Sequence, residues 1–232
     1  MRLPYRHIVW DWNGTLLDDV PAAVNAINAM LRRRGLPATD MERYRELFGF
    51  PVRHYYAAVG FRLAGEDWDA VAREYHDRYL ADTTVRLRPA AVPTLEFCRR
   101  AGLGLSILSA SEQTILERML ADAGVTAHFD FIHGVYNLNG HSKADTGRRL
   151  LARLPCPARH VLFVGDTLHD HEVAAGLGCD CVLVAEGHQS RPRLLAAGCP
   201  VLDTLAEIPE HLRRLADPRC PRAPSRRGER HD

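Results

Sequence analysis

Lysine is all but missing from this chain. Of its 30 basic residues one, Lys143, is a lysine, and the rest are arginines. An ammonium is a compact point charge and a guanidinium a broad planar fork, so the position that keeps lysine calls for an explanation. Also missing is any Cys-x-x-Cys pair: the six cysteines stand apart at 98, 156, 179, 181, 199 and 220. Such scatter offers no redox dithiol motif and points to reduced, mostly buried thiols of a cytoplasmic protein. No apolar run approaches the roughly 20 residues of a bilayer span, and the N-terminus does not read as a signal peptide. There is no charge excess either. The formal net charge is +1, so composition gives no argument for a nucleic-acid or membrane partner.

What is present is ordinary for a soluble globular chain: 232 residues, 46% hydrophobic and 25% charged. That length allows one large domain or a domain with an insert. The stretch that organises the rest is His7 to Asp19. An apolar run, Ile8-Val9-Trp10, stops abruptly on Asp11, and Asn13-Gly14 then forces a turn. In open α/β sheets chemistry gathers at the carboxyl ends of strands, and a carboxylate at such a tip is placed to hold a metal and a phosphate. The plainer alternative for Asp11 is a turn cap.

Residues 19–82 carry helical periodicity almost throughout. Val24, Ile27 and Leu31 mark one helix, and Trp68, Val71, Tyr75 and Tyr79 another. This is too much helix for a single crossover between strands, so it reads as an inserted helical subdomain. Beyond it, strands and helices alternate. A helix opens at Pro89, and strands are expected over 103–108, 129–135, 161–164 and 181–184. A helix capped by Ser142 begins at Lys143, and another spans 172–177. That alternation implies a parallel sheet. From about residue 217 the chain is Pro, Arg and Ser without apolar period, which reads as a disordered tail.

Three strands thus end in polar tips: Asp11, Ser109 and Gly165-Asp166. Lys143 sits in the first turn of a helix, the wrong end for a cation, which suggests an anion beside it. Asp166 and Asp170 lie four apart across a turn into a helix, placed to hold Mg²⁺ together with Asp11. Taken singly, Ser109, Asp166 and Asp170 also suit helix caps, and Lys143 suits an exposed surface position. His169 and His171 flank Asp170 without a convincing ligand spacing.

Taken in order, Asp11-Trp-Asn-Gly-Thr15, Ser109, Lys143 and Gly165-Asp166-Thr167 with Asp170 resemble the four motifs of the haloacid dehalogenase-like hydrolase superfamily. The resemblance is to its phosphoglycolate phosphatase-like branch and covers about residues 5–215. It implies an α/β fold: a Rossmann-like parallel-sheet core over 1–16 and 86–216, with an inserted all-helical cap over 17–85. It also implies a Mg²⁺-dependent phosphatase acting on a small phosphorylated metabolite. Asp11 would attack phosphorus and form an aspartyl-phosphate. Asp11, Asp166 and the backbone carbonyl of Asn13, with Asp170 directly or through water, would hold Mg²⁺. Ser109 and the Ala110 N–H would hold phosphate oxygens, and Lys143 would neutralise charge in the transition state.

One departure stands out. The family's second acid is here Asn13, which cannot protonate a leaving group or deprotonate water. General acid–base help is typically worth ~10²–10⁴ in rate. Asn13 would retain hydrogen bonding to a leaving group or water, with Asp18, Asp19 or a cap residue as possible replacements for the acid. The expectation is a slowed or specialised phosphatase, with a catalytically weak phosphate-binding or sensor protein as the alternative. The cap holds no lysine, which argues against Schiff-base phosphonatase chemistry. Arg53 and His54, beside the Gly49-Phe50-Pro51 break, are the candidates for substrate choice. The alternative is that the aromatics there pack the cap's own core.

Overall fold

A computed structural model describes residues 3–135 and 143–217. Ser142, the expected helix cap, and most of the expected tail, 218–232, lie outside the described residues, as does Cys220.

Strand β1 (His7–Trp10) is buried along its whole length. Ile8 and Trp10 pack into one hydrophobic cluster and Val9 into a second on the opposite face. A strand apolar on both sides belongs in the middle of a helix-covered parallel sheet. The chain then makes a two-residue strand, β2 (Leu17–Asp18), and four helices: α1 (Val20–Arg33), α2 (Met41–Leu47), α3 (Val52–Ala58) and α4 (Trp68–Leu80). It returns through β3 (Arg86–Leu87), antiparallel to β2 with Leu17 opposite Leu87 and Asp18 opposite Arg86. This small ribbon ties together the two ends of the helical segment. Periodicity cannot reveal strands of two residues.

The remaining elements are α5 (Ala91–Arg100), β4 (Gly104–Glu112), α6 (Gln113–Asp122), β5 (Phe131–Val135), α7 (Lys143–Arg153), β6 (Val161–Gly165), α8 (Leu168–Gly176), β7 (Asp180–Val184), α9 (Arg191–Leu195), β8 (Val201–Leu202) and α10 (Ile208–Ala216). The six-stranded sheet runs β5-β4-β1-β6-β7-β8, with every pair parallel. The first cluster is closed by Leu95, Leu116, Ile208 and Leu212 from α5, α6 and α10. The second is closed by Leu150, Val173 and Leu194 from α7, α8 and α9. The helical segment has its own cluster, in which Ile27, Met30 and Leu31 meet Tyr44, Tyr55, Tyr56 and Val71. Burying a side chain of this size contributes roughly 1.5–3 kcal/mol.

Several boundaries differ from the sequence expectations. Strand β4 runs on to Glu112, so Ser109 lies inside the strand; its register shifts between Leu108 and Glu112. Helix α8 begins at Leu168 rather than 172. The Thr167 hydroxyl accepts from the Asp170 N–H, and the Asp170 carboxylate accepts from the Thr167 N–H. This reciprocal cap satisfies two otherwise orphaned donors. Helix α5 begins two residues after Pro89. Cys98, Cys179 and Cys181 are buried free thiols, and Cys156 and Cys199 are half-buried ones. Among the described residues no helix is long and apolar enough to cross a membrane.

Candidate active site

With β1 flanked by β4 and β6, the sheet changes direction of winding at its centre, and the carboxyl ends of these strands open a crevice. Asp11 follows β1, and its N–H donates to the Val164 carbonyl of β6. Asp166 follows β6, and Asp170 lies in the first turn of α8. One carboxylate oxygen from each of these three lies within 4.8 Å of the others.

The Lys143 ammonium, 4% exposed, donates to Asp11 Oδ1 and, at 2.6 Å, to Asp170 Oδ1. The cation at the unfavourable end of α7 is therefore held by two carboxylates from the opposite elements. The other Asp170 oxygen accepts from the Thr167 hydroxyl at 2.7 Å and from the backbone N–H groups of Asp166 and Thr167. Both Asp170 oxygens are thus engaged in fixing the turn and aiming the lysine. Burial opposes the charge on Lys143, yet Asp11 and Asp170 more than offset it and raise its pKa. Burial likewise works against Asp170, but Lys143 outweighs it and holds the carboxyl below its usual range.

Asp11 and Asp166 are less well served. The single Thr15 hydroxyl proton faces Asp11 Oδ2 at 3.2 Å and Asp166 Oδ1 at 3.1 Å, and can serve one of them at a time. Burial, with the neighbouring carboxylates adding to it, pushes Asp11 up to about 8 despite Lys143. Burial also pushes Asp166 up to about 6. An excess of buried carboxylate oxygen over donors, with no soft ligand beside it among the described residues, suits a small hard cation such as Mg²⁺.

Gly14 makes this convergence possible. Its φ is +73°, and a Cβ there would lie 2.3 Å from Asp166 Oδ2 and 2.4 Å from the His188 ring. No side chain fits.

Asn13 is fully committed. Its amide donates to Asp19 Oδ2 at 2.8 Å and to the Tyr79 hydroxyl at 3.0 Å, and its carbonyl oxygen accepts from Ser111 Oγ at 2.7 Å. Asp19 is 1% exposed. Besides Asn13 it accepts from the Gly14 N–H at 2.7 Å and the Tyr79 hydroxyl at 2.6 Å, and it faces His188 Nε2 at 3.4 Å. The other His188 ring nitrogen lies 2.9 Å from the Tyr44 hydroxyl, and its backbone N–H donates to Asp166 Oδ2. Burial disfavours the charge on both partners. The pairing overrides this: His188 holds Asp19 below the carboxylate range, and Asp19 lifts His188 to about 9. So an ion pair absent from the sequence reading stands behind Asn13.

Of the residues expected at the site, Asp11, Asn13, Ala110, Lys143, Asp166 and Asp170 line one cavity of about 270 Å³. Ser109 is buried 2 residues behind Ser111, and its hydroxyl accepts from the Ser111 N–H at 3.0 Å. Ser111 lines the cavity, whereas Ser109 does not. Both amide hydrogens of Asn13 and its side-chain oxygen already have partners, so the expected hydrogen bond to a leaving group or water would require one of these to be exchanged. Asp18 is half-buried, 3.2 Å from Arg86 and 3.6 Å from Arg88, and is not among the residues that line the cavity. Arg53 lines the cavity with its guanidinium over the Trp68 ring at 4.5 Å. His54 is exposed and is not among the lining residues. The aromatic residues of the helical segment do pack its core, and several line the cavity as well.

Sequence reasoning missed Thr15, Ser111, His188 and Arg88. The buried Arg88 binds the Gly14, Thr15 and Glu186 carbonyls and so clamps the first loop. His188 was within reach of the same strand-tip rule. Strand β7 ends at Val184, and Glu186-Gly187-His188 is its polar tip.

This geometry meets an independent finding: residues 8–184 match the family model of the haloacid dehalogenase-like hydrolases. The chain belongs to that family. A phosphoglycolate phosphatase of Synechococcus elongatus is 30% identical to it over 209 residues, covering 88% of this chain and 94% of the relative. The tyrosine-protein kinase PtkA of Mycobacterium tuberculosis is 30% identical over 184 residues, covering 78% of this chain but 62% of that protein. A solved structure of PtkA superposes with a TM-score of 0.76 at 25% identity, covering 91% of this chain and 99% of that one.

Proposed function

We propose that this hydrolase is a Mg²⁺-dependent phosphatase that cleaves a small phosphate monoester through a phosphorylated Asp11. The observation that carries the reading is the lone Lys143, held between Asp11 and Asp170 beside Asp166. In this reading residues 1–16 and 86–216 are the catalytic core and 17–85 the cap. The phosphatase names among its relatives support the reaction class.

One oxygen of Asp11 attacks phosphorus, and the ester oxygen leaves. Lys143 offsets charge on both Asp11 and the transferring phosphoryl group, and Asp170 holds it on that line. Asp11, Asp166, Asp170 and the Asn13 backbone carbonyl would hold Mg²⁺, which when bound would supply positive charge that offsets repulsion between carboxylate and phosphate. The Ala110 N–H holds a phosphate oxygen, and the Ser111 hydroxyl holds another by turning from the Asn13 side-chain oxygen to which it now donates, with Ser109 fixing the backbone beneath them.

The test is hydrolysis of p-nitrophenyl phosphate with Mg²⁺ by the wild type and by Asp11→Asn. The variant is expected to be inactive, and retained activity removes Asp11 as nucleophile. Asn13 favours a second reading, in which the phosphoryl group is kept or bound without fast release to water. A sensor that binds phosphate without forming phospho-Asp11 is separated from the phosphatase by turnover.

A further inference from the structure

Two features of the cavity bear on what it accepts, and they are independent of each other. The first is its wall. Besides Asp11 and Lys143 the chamber is lined by Tyr44, Phe48, Phe50, Tyr55, Trp68 and Tyr75, and by Ile115 and Met119. The rings pack edge to face: Tyr44 with Tyr55 at 5.4 Å and Phe48 with Tyr55 at 5.5 Å between centroids. Tyr55 is 3% exposed, and its hydroxyl has no hydrogen-bond partner among the described residues. The chamber is poor in positive charge for a second anionic group. Among the described residues Arg53 is the one arginine that lines it, and it lies on Trp68. Glu112 adds a carboxylate, already capping α6 through the Ile115 N–H.

The second feature is that the groups around Asn13 that could protonate a leaving oxygen are already committed. Asn13 has donated both amide hydrogens, and the Tyr79 hydroxyl donates to Asp19. The ring nitrogens of His188 face Asp19 and the Tyr44 hydroxyl, and Asp170 is held by Lys143 and Thr167. A site so arranged turns over esters whose leaving group departs without help. A phenolate does so far more readily than an alkoxide.

We infer that the substrate is the phosphate ester of a phenol, its ring seated among these aromatic side chains. The inference rests on the phosphatase reading and narrows it away from phosphoglycolate, an alkyl ester with a second anionic group. In the step itself an Asp11 oxygen forms a bond to phosphorus as the phosphorus–aryl-oxygen bond breaks. The electron pair leaves with the phenolate, which takes a proton from water. A second water then attacks phosphorus, giving a proton to the hydroxide left by the first, the bond to Asp11 breaks, and phosphate leaves. The sum is aryl phosphate plus water giving phenol plus inorganic phosphate. A polar substituent on the ring would find the Tyr55 hydroxyl.

The experiment uses the full chain with Mg²⁺ and compares kcat/KM for phenyl phosphate, benzyl phosphate and 2-phosphoglycolate, with p-nitrophenyl phosphate as control. Phenyl and benzyl phosphate share a ring and differ in the leaving oxygen. Phenyl phosphate is expected to exceed benzyl phosphate by ~10²-fold or more, the scale of a missing general acid. In parallel, phenylphosphonate is expected to inhibit at least about 10-fold more tightly than methylphosphonate, as aromatic burial requires. Benzyl phosphate within about threefold of phenyl phosphate, a preference for 2-phosphoglycolate, or equal inhibition by the two phosphonates overturns the inference while leaving the phosphatase reading standing. Failure to hydrolyse even p-nitrophenyl phosphate overturns both.

Discussion

Restoring the family's second acid by Asn13→Asp is the obvious repair, and the structure says that it fails on its own. The new carboxylate would face Asp19 Oδ2 where the Asn13 amide now sits at 2.8 Å. At an effective dielectric of about 20, two unit charges at that separation repel by about 6 kcal/mol. Taking up a proton at pH 7, from an unperturbed pKa near 3.9, costs about 4 kcal/mol. Protonation wins, so the variant's residue 13 is neutral and spends its proton on Asp19. Its folded pKa is then raised above its unfolded value. The folded state binds the extra proton, and stability relative to wild type falls as pH rises. One proton over two pH units amounts to about 2.7 kcal/mol. Urea unfolding of wild type and variant at pH 5 and pH 7 is therefore expected to show a destabilisation larger at pH 7 by roughly that amount. Adding Asp19→Asn should remove the pH dependence. The variant should gain little on benzyl phosphate, and the double variant more. Equal destabilisation at both pH values would refute the claim that Asp19 is the ionised partner of Asn13.

Three further outcomes are expected. Lys143→Met leaves Asp11 and Asp170 buried without their cation and should destabilise the protein by about 3–5 kcal/mol, read by denaturant midpoint. Tyr55→Phe removes a buried hydroxyl with no partner among the described residues, so unfolding free energy should be unchanged or rise by about 1 kcal/mol. Saturating Mg²⁺ should raise the thermal midpoint of the wild type, the equivalent of about 2.7 kcal/mol at 100 times Kd. In Asp166→Asn most of that response should be lost.

The parts of this molecule legible in the sequence were those carried by long or abrupt patterns. Ile8-Val9-Trp10 ending on Asp11, the isolated Lys143 and the Asp166–Asp170 pair needed only apolar runs, turn chemistry and the helix dipole. The ribbon of Leu17–Asp18 with Arg86–Leu87 is too short for any period to register. Asp19 and His188 are 169 positions apart and meet only because β7 delivers its tip beside the first loop. Arg88 is invisible for a different reason: in a chain that writes arginine nearly everywhere, a buried clamp on backbone carbonyls looks like any other basic residue. Asn13 was legible as a lost acid. Its saturation by Asp19, Tyr79 and Ser111 was not, because hydrogen-bond partners are a property of the fold.

The most direct measurement is to find where the phosphoryl group goes. The protein is mixed with Mg²⁺ and labelled p-nitrophenyl phosphate, quenched in acid, digested and mapped. Label on the peptide carrying Asp11, released by hydroxylamine and absent from Asp11→Asn, is the predicted result. Hydrolysis by the wild type with no label at Asp11, or with label on another residue, would contradict the account.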